Sequence, residues 1–79
     1  MEQHVALWNQ CLSIVKDNVG EPMYSTWFTP IVPLSYSDNK FVVQVPSQFF
    51  YEYIENQFAF LLHQALNHVV GQETQLLYR

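Results

Sequence analysis

Between residues 3 and 19, apolar side chains recur every three or four positions. At 3.6 residues per turn, His4, Trp8, Cys11, Leu12, Val15 and Val19 share one helical face, with Leu7 and Ile14 flanking one edge. That face covers close to half the circumference. Gly20 suits the C-terminal stop, and Pro22 suits the first turn of a short second helix over roughly 22–28. Pro30 and Pro33 then exclude further helix.

The period changes after that point. IVPLSYS and KFVVQVP are short β-rich runs joined at the turn-prone Ser37-Asp38-Asn39, which predicts a hairpin over 31–46. Phe41, Val43 and Val45 alternate with Val42 and Gln44, so the odd residues are expected to face the core. Pro33 predicts an edge position for its strand. Pro46-Ser47 opens a long third helix, with Ser47 as N-cap. Its stripe runs Phe50, Ile54, Phe58, Leu61, Ala65 and Val69, widened by Tyr51, Gln57, Leu62 and Leu66, and Gly71 ends it. The run ETQLLYR predicts a third strand with Leu76 and Tyr78 on one side. The order is ααββαβ, an α+β fold with helices packed on a small three-stranded sheet.

Composition makes this pattern credible for so short a chain. The 79 residues amount to one domain, near the lower limit for a fold held by its core alone. Hydrophobic residues make up 49% and charged residues only 13%, which excludes a disordered segment. The richest region, Phe49 to Val70, is interrupted by polar residues from Glu52 to His68, so no membrane span is expected. The opening MEQHVALW has neither a basic stretch nor an apolar run long enough for a signal peptide. A single cysteine, Cys11, forms no internal disulfide, and a cytoplasmic location is the simplest reading.

Charge narrows the partners. Lys16, Lys40 and Arg79 are the only fixed cations against seven carboxylates, for a net charge of -4. Nucleic-acid binding draws on phosphate neutralisation, so strong binding by this chain alone is not expected, nor is binding to an anionic membrane.

No catalytic set is visible, and the chain is not expected to be an enzyme. His4, His63 and His68 lack metal-ligand spacing and read as surface histidines. Cys11 lies in an apolar helix face with no basic neighbour, which suits a buried small hydrophobe rather than a nucleophile. Glu52 and Glu55 fall on the polar side of the third helix and read as a solvated face. Gly20 and Gly71 are the only glycines, so no phosphate-cradling loop exists.

Two aromatic features stand out. Trp8 with Leu7 lies on a face wider than a core needs, so the pair is either a contact surface or, for Trp8, core. On the third helix, Phe49, Tyr53 and Phe60 form a second ridge away from the main stripe. Tyr53 and Phe60 are expected to be covered by the first two helices. Phe49, in the first turn where cover is thinnest, is expected to be exposed and so to be a candidate partner anchor.

Leu7-Trp8-Asn9-Gln10-Cys11-Leu12, Tyr24-Ser25-Thr26-Trp27-Phe28 and Val45-Pro46-Ser47-Gln48-Phe49 resemble, in order and spacing, signatures that open the bacterial replication initiator family DnaA. With Pro22 and an initial Met1, they span nearly the whole chain. The resemblance implies a KH-like fold and an N-terminal protein-interaction domain (residues 1–79) with no cofactor of its own, ATP belonging to the full-length initiator. It implies self-association through Leu7 and Trp8, contact with the replicative DNA helicase through Phe49, and species-specific regulators received around Thr26, Trp27, Ser47 and Phe49. A second helicase-contacting position, acidic in some members, aligns with Met23. The alternative from another class is a KH-like single-stranded nucleic-acid-binding module, but no GXXG loop is present. A purely structural homo-oligomerisation module would share Leu7 and Trp8 and give Phe49 no role.

Overall fold

The computed structural model describes residues 3–71 and 74–79. Its elements are α1 (Gln3–Val19), α2 (Glu21–Met23) continuing into a π-type turn (Tyr24–Phe28), β1 (Val32–Ser37), β2 (Lys40–Gln44), α3 (Gln48–Val70) and β3 (Gln75–Tyr78). The sheet order is β1-β2-β3, with β1 antiparallel and β3 parallel to β2. This is the expected α+β arrangement. Glu73, which opens the predicted third strand, and Met1, cited in the resemblance, lie outside the described residues.

Local chemistry accounts for the joints. Gly20 sits at φ 83° and Gly71 at φ 112°, left-handed conformations that glycine adopts without a Cβ penalty; Gly20 ends α1 and Gly71 ends α3. Asp38 and Asn39 have φ of 52° and 62°, so the hairpin closes through two left-handed residues, the arrangement whose twist matches paired strands. The Ser47 hydroxyl accepts from the Phe50 amide at 3.1 Å and caps α3. The second helix departs from its expected form. Its last turn widens so that the Thr29 amide donates to the Tyr24 carbonyl at 3.2 Å, five residues back.

The core gathers one face from each layer. Trp8, Cys11 and Val15 of α1 meet Phe28, Ile31, Phe41 and Val43, and α3 closes over them with Ile54, Leu62, Ala65 and Leu66. Phe41 and Val43 point inward as the alternation requires. Three expectations need correction. Trp8 is 1% exposed and packs its indole 5.6 Å from the Phe41 ring, so it is core, not an exposed contact. Gln57 is exposed, because the buried stripe of α3 centres on Ile54, Leu62 and Leu66 and turns the 57 position outward. Glu55 is half-buried rather than freely solvated, and its carboxylate accepts from the Tyr78 hydroxyl at 2.7 Å.

Cys11 is fully buried, as its apolar surroundings require, and its thiol points at the Ala65 carbonyl, 3.8 Å away. Burial pushes the thiol pKa up from 9.0 to about 11, since the thiolate would lose its hydration. A folded-state pKa above the unfolded one means stability is intact below pH 9 and declines as pH rises from 9 towards 11, where the unfolded chain releases its proton first. The melting temperature should therefore fall more steeply between pH 9 and 11 in the native chain than in Cys11→Ala. Parallel melting profiles would show that the thiol is not the titrating group.

Candidate functional site

The exposed face of this fold is built where the π-type turn meets the start of α3. The two consecutive aromatics of this turn face different ways. Phe28 enters the core at 0% exposure, with its ring 5.0 Å from Phe58, while Trp27 lies across α3. There Trp27 stacks on Tyr53 with ring centres 3.8 Å apart and planes at 18°. Its ring is also 5.0 Å from Phe50 and 6.4 Å from Phe49. Aromatic pairs at such distances add about 0.5–1.5 kcal/mol each beyond burial, so the Trp27 platform is held rigid.

Phe49 projects from this platform, 69% exposed. It sits in the first turn of α3, one position past Gln48, whose amide donates to the Glu52 carboxylate at 3.3 Å. A rigid aromatic floor beneath an exposed ring is the arrangement of a binding anchor, because little side-chain entropy remains to be lost on docking. Thr26 and Ser47 are exposed beside it, and Met23 is half-buried. The structure thus joins Trp27 to Phe49, with Thr26 and Ser47 as their chain neighbours. No ring contact or hydrogen bond among the described residues links Met23 to the cluster.

Leu7 and Trp8 lie elsewhere. Leu7 is partly buried against the core, and with Trp8 enclosed, only Leu7 of that pair keeps accessible surface.

Phe60 is a correction and an addition. It was expected to lie covered, yet it is 77% exposed. Phe49 and Phe60 are eleven positions apart, which at about 100° per residue places them within roughly 20° of each other on α3. Trp27 reaches Tyr53 but the turn ends at Phe28, and Phe60 lies about 10 Å further along the helix axis than Tyr53, at 1.5 Å per residue. The wheel held this signal; the length of the covering segment was the missing quantity.

Electrostatics around the face are sparse. Lys16 pairs with Glu21 at 3.2 Å and places its ammonium 5.4 Å from the Tyr24 ring centre. Both partners of the ion pair are well exposed, so the pair contributes about 0–1 kcal/mol and mainly ties the end of α1 to the next segment. Among the described residues no three His, Cys, Asp or Glu side chains are grouped to hold a metal ion, and no helix is long and apolar enough to cross a membrane.

Comparison with known proteins identifies the family. A family model described as the DnaA N-terminal domain matches residues 5–68. The chromosomal replication initiator protein DnaA of Bacteroides fragilis (strain YCH46) is 57% identical over 75 residues, and that of Bacteroides thetaiotaomicron is 55% identical over the same length. The match covers 95% of this chain but only 16% of either relative. The Flavobacterium psychrophilum protein of the same name is 45% identical over 74 residues. The chain therefore spans about a sixth of the initiators it matches, and it belongs to the DnaA N-terminal domain family.

Proposed function

We propose that this chain is the protein-interaction domain of a cytoplasmic bacterial replication initiator, acting without catalysis of its own. In this reading it recruits the replicative DNA helicase through Phe49, receives species-specific regulators around Thr26, Trp27 and Ser47, and supports self-association. The observation that carries the reading is Phe49, exposed on a stacked Trp27–Tyr53 floor directly after Pro46-Ser47-Gln48. Leu7 is the accessible member of the proposed self-association pair, and Trp8 supports it from within the core. In the same reading ATP belongs to the full-length initiator and not to this chain. A pull-down of the replicative helicase by the native chain and by Phe49→Ala tests the helicase contact. Equal recovery would remove Phe49 from it.

The nucleic-acid alternative has a separate test. Of the three fixed cations, Lys16 is already paired with Glu21, which leaves little charge to displace counterions from phosphates. Binding to a short single-stranded DNA should be weak or undetectable by fluorescence anisotropy at about 0.15 M salt, where exposed charges are screened beyond roughly 8 Å. Tight binding under those conditions would promote the nucleic-acid reading.

A further inference from the structure

Fixed charge is unevenly distributed over the two long helices. Residues 3–15 of α1 and 56–71 of α3 contain no Asp, Glu, Lys or Arg, so the seven carboxylates and three fixed cations all lie elsewhere in the chain. The two uncharged stretches are neighbours. α1 packs on α3, and the Cys11 thiol lies 3.8 Å from the Ala65 carbonyl.

The α3 stretch has a distinct outer side. Leu62, Ala65 and Leu66 are buried, and at about 100° per residue Phe60 stands roughly 170° from their mean direction. At 77% it is the most exposed large hydrophobic side chain among the described residues. Asn56, His63 and Gln64, one turn away on either side, are exposed with it. A single exposed apolar residue needs no explanation; one set in a two-helix surface cleared of fixed charge does.

What this face accepts follows from what it lacks. A charged partner surface would lose its hydration there and gain no counter-charge. Phosphates of nucleic acid or of an anionic bilayer would meet no cation. A second copy of this chain meets neither cost. Rings pack on rings, and the side-chain amides of Asn56 and Gln64 both donate and accept, so each pairs with its own kind across a two-fold axis. Two chains of net charge -4 repel, and contact through an uncharged face brings the fewest like charges together. The face is also continuous with Leu7, which lies one turn before Cys11 on the adjoining stretch of α1.

We propose that the outer side of α3 around Phe60 is a self-association surface, on which a second copy docks by two-fold symmetry with Phe60 as anchor. The proposal rests on the reading that the chain self-associates, and it adds α3 to the contact at Leu7. Residues 56–71 run about 24 Å at 1.5 Å per residue, and two packed helices are about 20 Å wide. The resulting area, roughly 500 Å² per copy, is below the ~800 Å² of a standard stable interface, so the dimer is weak and reversible.

Sedimentation velocity over a range of concentrations measures the association, with circular dichroism as the control for folding. Phe60→Ala should weaken it about tenfold or more, as truncation of an aromatic anchor does, with an unchanged melting temperature. Phe60→Lys should weaken it further, because two-fold symmetry buries an uncompensated cation from each copy. Phe49→Ala, ~16 Å away along the same helix, should leave it unchanged. Association should strengthen as salt rises from about 0.01 to 0.15 M, because the screening length falls from roughly 30 to 8 Å and no ion pair is lost. Concentration-dependent NMR shifts should gather at Asn56, Phe60, His63 and Gln64. If Leu7→Ala weakens association and Phe60→Ala does not, the α3 contact is overturned while self-association through α1 stands. A native chain that remains monomeric at about 1 mM, the weak end of specific affinities, would overturn both. Association that weakens with salt would mark an ion-paired contact and would also overturn the proposal.

Discussion

Trp8→Ala is expected to unfold most of the population at ambient temperature. The indole is 1% exposed and lies against Phe41 between α1 and the sheet, so its removal leaves a large cavity where two layers meet. Truncating a buried tryptophan costs about 3–5 kcal/mol, and a chain this short has little more than that in reserve. Circular dichroism and thermal melting provide the measurement. Trp8→Phe, which keeps a ring against Phe41, should retain a cooperative transition at lower temperature. An Ala variant that melts like the native chain would contradict the burial. The same burial governs how any self-association defect in Trp8→Ala is to be read. A self-association defect in that variant would follow from loss of fold, whereas Leu7→Ala, partly accessible, separates the two effects.

Phe49→Ala should behave in the opposite way. At 69% exposure its ring leaves no cavity, and the melting temperature should stay within the range of surface substitutions, about ±0.5 kcal/mol. If Phe49 anchors the replicative helicase, truncation should cost about 2 kcal/mol or more of binding, close to a thirtyfold loss of affinity. Calorimetric titration of the helicase against both forms measures this, with Phe60→Ala as the comparison. Phe60 shares the same side of α3 at 77% exposure, so a weaker effect there would locate the contact at the start of the helix. A large drop in the melting temperature of Phe49→Ala would instead place that ring in the core. Unchanged affinity with an intact fold would remove it from the interface and turn attention to Met23.

The periodicity of the chain determined its elements. A stripe from Trp8 to Val19, a hairpin alternation around Asp38-Asn39 and a capped stripe beginning at Ser47 each depend on neighbours a few residues away, and each is found where the pattern placed it. Exposure of Phe49 was legible for the same reason, because a first-turn residue off the main stripe has few local means of being covered. Tertiary structure decided the rest. Whether Trp8 was core or contact depended on the sheet residue opposite it, Phe41, more than thirty positions along the chain. The covering of Tyr53 and the baring of Phe60 depended on how far the segment ending at Phe28 extends across α3, a length that no helical wheel contains. The parallel placement of β3, which packs Leu76 and Tyr78 against the core and draws Glu55 into a hydrogen bond, required α3 to carry the chain back across the sheet. Local patterns encode the face each residue turns from its own backbone; only packing determines what, if anything, comes to cover that face.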